Sequence, residues 1–182
     1  MTARAVQSGF TMLEVLISIM IISIGLLGLA GLQTLSLKGS QSAYFRSVAT
    51  QLAYDMGDRM RGNLTGVYSQ SYNRTGVTTD YSTAVAACGL TTGCSAAQLA
   101  QNDAKEWQDL VANLLPGGQG IICIDRTPND LTATPAAPLC DGLVPPNPNE
   151  RPIWAIKIWW LDDRSEANTA GTKKIFVYTL RL

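Results

Sequence analysis

Gly9-Phe10-Thr11-Met12-Leu13-Glu14-Val15 opens a stretch that continues as LISIMIISIGLLGLAGLQTLSL, residues 16–37. From Val15 to Leu37 no side chain is charged. At a rise of roughly 1.5 Å per helical residue, about 20 residues cross the hydrocarbon core of a bilayer, and this run is long enough. A secretory signal has a shorter apolar core of about 7–15 residues. Gly28-Leu29-Ala30 does spell a small-x-small cleavage site, which would release a chain beginning at Gly31. Against that, periodic apolar positions continue past Leu37 without a break. Glu14 is the exception within the greasy segment. A lone carboxylate is costly in lipid and usually functional there, although the first turn of a helix tolerates it through the macrodipole.

The rest of the composition narrows the chemistry. The chain has 182 residues, 46% hydrophobic and 15% charged, too apolar for a disordered polypeptide. Fourteen basic residues balance fourteen acidic ones, so no excess cation marks a nucleic-acid surface. There is no histidine. Imidazole ligands, Ser-His or Cys-His nucleophile pairs and imidazole proton shuttles are therefore excluded.

Periodicity extends the helix beyond the membrane-length segment. Phe45, Val48, Ala49, Leu52, Ala53, Met56 and Met60 recur at three- and four-residue steps as one apolar stripe. Ser47, Thr50, Gln51, Tyr54, Asp58 and Arg61 fall opposite. Asp55 and Arg59 stand four apart in the favourable order, and Gly62-Asn63 supplies a stop. One helix from near Phe10 to Arg61 is expected, of about 50 residues and 75 Å. Residues 63–94, rich in Gly, Thr, Ser, Tyr and Asn, read as an irregular connection.

A second helix begins at the capping box Ser95-Ala96-Ala97-Gln98, with Asp103-Ala104-Lys105-Glu106 as a later possible start. Trp107, Leu110, Val111 and Leu114 make its apolar face, and Pro116-Gly117-Gly118 ends it. Three strands are expected: Gly120 to Asp125, Ile153 to Leu161 and Lys174 to Leu182. In the second, Trp154, Ile156, Ile158 and Trp160 share a face and Lys157 marks the other. In the third, Phe176, Tyr178, Leu180 and Leu182 share a face. Residues 162–173 fit a hairpin loop, and 126–152, with seven of the eight prolines, reads mostly as loop. An antiparallel sheet with one apolar face needs a cover, which the stripe of the long helix provides.

Four cysteines allow three pairings; the two local ones, Cys88–Cys94 and Cys123–Cys140, are expected. A zinc or redox site is disfavoured, because there is neither Cys-x-x-Cys nor His. Trp107, Trp154 and Trp160 fall on apolar faces and are expected in the core; Trp159 alone is expected at the surface. Asp162-Asp163 suits a turn better than calcium, and Gly117–Gly120 lacks the Lys-Ser/Thr of a P-loop. No catalytic constellation, metal site or cofactor site is expected.

Gly9-Phe10-Thr11-Met12-Leu13-Glu14 resembles the type III signal of type IV prepilins and type II secretion pseudopilins. The resemblance implies an α+β type IV pilin fold: a long N-terminal helix, its apolar half in the membrane, packed on a small antiparallel sheet with an extra helix. It implies that a membrane peptidase cuts between Gly9 and Phe10, that Phe10 becomes the N-methylated N-terminus, and that Glu14 pairs with the terminal amine of a neighbouring subunit. A buried ammonium and a buried carboxylate are each costly alone and tolerable together. Gly25, Gly28 and Gly31 then mark either a segment that loosens on filament assembly or close packing of helices in the membrane. The organisation implied is a leader over 1–9, a transmembrane and assembly segment over 10–37, and a periplasmic head over 38–182, an oxidising setting that suits disulfides.

Further stretches are similar to the PilV minor pilins: Arg59-Met60-Arg61-Gly62-Asn63 as R-M-R-x-N, Glu106-Trp107, Leu115-Pro116-Gly117-Gly118 and Ile158-Trp159-Trp160. A non-enzymatic minor pilin is implied, held in the inner membrane and then in a surface pilus, helping to prime assembly in a tip complex and serving twitching motility and adhesion. Its implied partners are other minor pilins and the major pilin, a tip adhesin, prepilin peptidase, an inner-membrane assembly platform and inner-membrane lipid, with no nucleic acid. A type II secretion minor pseudopilin is the alternative, and a membrane-anchored periplasmic enzyme is a third class disfavoured by the missing nucleophile and metal spacings.

Overall fold

A computed structural model describes residues 9–74, 85–90, 93–130, 132–147, 150–162 and 173–182. Helix α1 runs Met12–Gly62, α2 Leu64–Tyr68 and α3 Ala96–Leu114. Strands β1 (Gln119–Ile124), β2 (Trp154–Trp160) and β3 (Lys174–Leu180) form one antiparallel sheet in that order. The loop expected between β2 and β3 falls largely on residues 163–172, outside the described residues. Contacts divide the chain into one unit ending at Ser42 and a second unit, the head, from Ala43 to Leu182.

In the head, the stripe expected on α1 is buried. Ala49, Ala53, Met56 and Met60 are fully covered, Leu52 nearly so, and Phe45 and Val48 pack at the margin. They meet Trp107 and Val111 of α3 and one face of the sheet, Ile122, Ile124, Trp154, Ile156, Ile158 and Trp160. Each large apolar side chain removed from water contributes about 1.5–3 kcal/mol. Trp107 joins the three layers. Its indole N–H donates to the Leu52 carbonyl of α1 at 2.8 Å, and its ring lies so close to Gly120 of β1 that an added Cβ would stand 2.4 Å from a ring carbon.

Helix boundaries follow from caps. Ser95 accepts from the Gln98 N–H, and the Gln98 side chain accepts from the Ser95 N–H at 2.9 Å, so the earlier of the two possible starts is the real one. At the other end Gly117 takes φ +58°, a left-handed conformation that glycine adopts without strain. Gly62-Asn63 ends α1 as expected, yet residues 63–94 are not wholly irregular. Asn63 Oδ1 accepts from the Gly66 N–H at 3.1 Å, so the residue that stops one helix caps α2 at once, and a 3-10 turn forms at Ala86–Gly89.

The buried face of α3 is rotated from the one expected. Leu110 and Leu114 are exposed, while Ala100, Asp103 and Ala104 are buried with Trp107 and Val111. Small alanines let helices approach closely, and the buried Asp103 is neutralised by partners described below.

The second face of the sheet is covered too, which corrects two expectations. Trp159 is 1% exposed rather than a surface residue, and Lys157 is fully buried rather than facing water. The loop after β1 lies over this face, held by the Cys123–Cys140 disulfide. Ile121, Cys123, Ala133, Ala155 and Trp159 form a second apolar cluster there. The Trp159 indole donates to the Ala133 carbonyl at 2.9 Å. The Lys157 ammonium lies 2.6 Å from Asp125 Oδ2 and donates to the Pro138 carbonyl at 2.8 Å. Asp125 in turn accepts from the Thr127 N–H at 2.9 Å. Cys88 and Cys94 form the other expected pair.

Gly120→Ala is expected to destabilise the head by about 1–3 kcal/mol, because the methyl group must displace the Trp107 ring. Denaturant unfolding of the full chain in detergent, followed by tryptophan fluorescence, measures this.

Candidate functional site

Thr11 starts α1. Its carbonyl accepts from the N–H groups of Glu14 (3.1 Å) and Val15 (3.3 Å), and its hydroxyl oxygen accepts from the Glu14 N–H at 3.3 Å. Thr11-x-x-Glu14 has the spelling of a capping box, a signal that places the helix start after Phe10. Gly9 and Phe10 precede the helix and are exposed, Phe10 at 85%. Glu14 lies in the first turn, where the helix dipole favours its charge. It is the only charged side chain between Phe10 and Leu37, and its carboxylate has no partner among the described residues.

Every large apolar side chain from Phe10 to Leu37 is exposed in the single chain, and α1 is long and apolar enough to cross a membrane. The hydroxyls within this segment turn back onto the helix. Ser18 donates to the Glu14 carbonyl and Ser23 to the Ile19 carbonyl, both at 2.7 Å, and Thr34 donates to the Gly31 carbonyl at 2.8 Å. Such bonds satisfy a hydroxyl where no water is at hand. The helix runs unbroken through Gly25, Gly28 and Gly31, each with open space where a side chain would stand.

The Arg59–Asn63 segment is a junction between elements of the head. Arg59 Nε donates to Asp55 at 3.0 Å and Nη1 to Glu106 of α3 at 2.9 Å, with Asp103 Oδ1 at 3.5 Å. Met60 fills the core. Arg61 Nη2 donates to the Tyr178 hydroxyl of β3 at 3.3 Å. Buried Asn63 donates to the Ala96 carbonyl at 2.8 Å and the Tyr72 hydroxyl at 3.1 Å, and Tyr72 donates to Asp103 at 2.6 Å. Burial, then the Asp103 carboxylate, pushes the Tyr72 phenol up, so it stays a donor. The hydrogen bond from Arg59, then that from Asn102, holds the Glu106 carboxyl below its ordinary 4.5.

No constellation of acid, base and nucleophile forms among the described residues. Cys123, Asp125 and Cys140 converge within 4.8 Å, but both sulfurs are spent in the disulfide and the carboxylate faces Lys157. Two open grooves of ≈ 320 and ≈ 360 Å³ flank the head. The first, between Phe45, Leu114 and Leu161, has no ionisable lining. In the second, Arg151 stacks on Tyr68 with 5.3 Å to the ring centre, and Glu150 faces Arg181 at 3.5 Å.

Arg59→Ala is expected to cost about 1–2 kcal/mol, since Asp103 loses a partner inside the head. A carboxyl held below its ordinary value favours the folded state above that value, and the contribution disappears as the pH falls through the lowered one. The wild-type head should therefore lose stability on acidification below about pH 4.5 more steeply than Arg59→Ala does, as read from unfolding midpoints across pH 2–7.

Residues 4–30 match the prokaryotic N-terminal methylation motif, which contains Gly9, Phe10 and Glu14. Residues 31–105 match the Tt1218-like family, described as type IV pilin Tt1218. No curated protein and no solved structure matches the chain. The pilin match spans α1 from Gly31, α2 and the first half of α3, so it includes Arg59, Asn63, Tyr72 and Asp103 of the junction. With a long apolar-headed helix packed by its second half on a three-stranded antiparallel sheet, and a methylation motif where that helix begins, the chain has the type IV pilin fold and carries the N-terminal signal of a pilus or pseudopilus subunit.

Proposed function

We propose that this pilin is a minor pilin of the PilV type, which works by assembling and primes a type IV pilus within a tip complex. The carrying observation is Glu14: one carboxylate without a partner among the described residues, at the start of an apolar helical segment exposed up to Leu37. Such a group is costly in a membrane or a helical bundle unless a cation comes to it. In this reading prepilin peptidase removes residues 1–9, Phe10 is methylated, and its new amine is the cation that a neighbouring subunit's Glu14 meets. The apolar segment first anchors the subunit in the inner membrane, with the head in the periplasm, and then packs among other pilins in the fibre. The assembly platform, the major pilin, other minor pilins and a tip adhesin are the partners. The PilV assignment is supported by Arg59-Met60-Arg61-Gly62-Asn63, Glu106-Trp107, Leu115-Pro116-Gly117-Gly118 and Ile158-Trp159-Trp160. Each has a packing role: the helix junction, the three-layer contact, the end of α3 and the twice-covered strand β2.

A type II secretion pseudopilin shares the N-terminal signal, and deletion separates the two. Loss of surface pili and twitching motility supports the minor pilin; loss of exoprotein secretion with pili intact supports the pseudopilin.

The membrane-extracted mature protein should begin at N-methylated Phe10 by mass spectrometry. A start at Gly31, or retention of Met1, would refute the processing. Glu14→Ala should be cleaved normally yet enter sheared filaments much less than wild type, on immunoblots of pilus fractions; equal incorporation would remove Glu14 from assembly.

A further inference from the structure

The two edges of the sheet are finished differently. On β1 the outward positions are Gly120, Ile122 and Ile124. The Gly120 N–H donates to Gln108 Oε1 at 3.2 Å, and the Ile122 carbonyl accepts from the Arg74 N–H at 2.9 Å. The Ile124 N–H donates to Asn73 Oδ1 at 3.0 Å, and its carbonyl accepts from the Gly142 N–H at 3.0 Å. This edge is closed.

The same bonds set the parity of the whole sheet. Even-numbered β1 residues face outward, and the Asp125 N–H continues the ladder to the Ile153 carbonyl at 3.0 Å, so odd-numbered ones face β2. In an antiparallel ladder each residue directs both its N–H and its C=O to one side. Residues Trp154, Ile156, Ile158 and Trp160 of β2 therefore bond to Leu180, Tyr178, Phe176 and Lys174 of β3. Ile175, Val177 and Thr179 point their N–H and C=O groups away from the sheet. Among the described residues nothing caps these groups.

Native sheets usually guard such an edge with proline, bulges or charges along the strand. Strand β3 pairs over seven consecutive positions without a bulge, contains no proline and carries its one charge, Lys174, at the first position. Its interior is Ile, Phe, Val, Tyr and Thr, the strongest strand formers. An unguarded edge next to a closed one is what strand addition requires.

We propose that the outer edge of β3 accepts an extended strand from a different polypeptide, one that is apolar in its middle and acidic at its ends. The charges select against a second copy. Antiparallel pairing of two β3 strands in full overlap, centred on Val177, would set Lys173, whose ammonium donates only to neutral oxygens of Gly117 and Gln119 among the described residues, opposite Arg181 at both ends with no carboxylate between, and like charges across a pair are destabilising. A guest with carboxylates at those ends meets cations instead. Among the described residues the exposed Lys174 has Asp162 at 4.0 Å and Arg181 has Glu150 at 3.5 Å, so both can take a further carboxylate. The edge belongs to the head, and the proposal holds whether or not the N-terminus is processed.

The test is residue-resolved amide hydrogen exchange on the full chain in detergent. The probe is an eight-residue peptide of alternating valine and threonine with glutamate at both ends. In the free protein the amides of Ile175, Val177 and Thr179 should exchange fast while those of Phe176 and Tyr178 are protected. Peptide should slow the three odd-numbered amides and leave the even-numbered ones unchanged. Methylating the peptide nitrogens that face β3 should weaken binding at least about tenfold, as removal of several hydrogen bonds requires. Replacing the terminal glutamates by lysine should also weaken it, with a gap that closes at high salt. Val177→Pro removes one outward N–H without touching the ladder to β2, and should abolish binding while the fold persists; the N-methylated peptide makes the same test on unaltered protein. Equal protection of odd and even amides in the free protein, or binding indifferent to N-methylation, would overturn the proposal. So would protection that rises with protein concentration alone, because the guest would then be a second copy.

Discussion

Trp107 is the contact on which the head depends. It projects from α3, reaches the Leu52 carbonyl of α1 and lies over Gly120 of β1, so one side chain sets the spacing of three elements. A tryptophan suits the position because its ring supplies the area and its N–H satisfies a polar obligation inside a dry interior. The opposite requirement falls on Gly120, where any side chain would occupy the ring's place. Around this wedge the stripe of α1 closes over the sheet, and the Arg59–Asn63 junction ties the end of α1 to α3, β3 and Tyr72.

The second face of the sheet is held by different means. Its cover is a proline-rich loop with little regular structure, and its cluster is smaller. Two buried charges sit beneath it, Lys157 and Asp125. A buried pair costs desolvation that its mutual attraction repays only when further hydrogen bonds are made. Here they come from the loop itself: the Pro138 carbonyl accepts from Lys157, and the Thr127 N–H donates to Asp125. The Cys123–Cys140 link closes a loop of sequence separation 17, which in the chain-entropy picture contributes about 3 kcal/mol. The disulfide and the ion pair thus reinforce the smaller apolar cluster on this face.

What the sequence made legible were local patterns. The stripe of α1, the Ser95 capping box, the strand runs and the short-range cysteine pairs each depend on neighbours a few residues away, or on a closure short enough to be favoured. The misread residues depend on distant partners. Lys157 and Trp159 look solvent-facing because alternation assumes one wet face, and nothing local to β2 announces that Ala133, Pro138 and Cys140 lie on the other. Leu110 and Leu114 look buried by size although Ala100 and Ala104 take the covered positions, and Asp103 reads as a helix start because the partners that let it be buried, Arg59 and Tyr72, are distant. Gly9, Phe10 and Glu14 of the candidate site were legible as a motif, whereas the cap at Thr11 was missed although Thr11-x-x-Glu14 spells it. Arg59-Met60-Arg61-Gly62-Asn63 was legible as a pattern of letters, but its reason lies at Ala96, Asp103, Glu106 and Tyr178.

The change of pattern along α1 explains how one helix serves two environments. Up to Leu37 it is apolar all round, and a helix of that kind must be enclosed by lipid or by other helices. From Lys38 onward charges appear, and from Phe45 the apolar residues narrow to a stripe that the head's own sheet consumes. Because the stripe is satisfied internally, the head has no need of the first segment for its core. That segment stays exposed in the single chain, with its one carboxylate in the first turn. A helix amphipathic throughout would bury its first half against its own head and leave nothing to assemble with; one apolar throughout would leave the head's residues without a defined face to pack on. The change of pattern between Lys38 and Phe45 coincides with the division of contacts after Ser42, so the head's core begins where the stripe does.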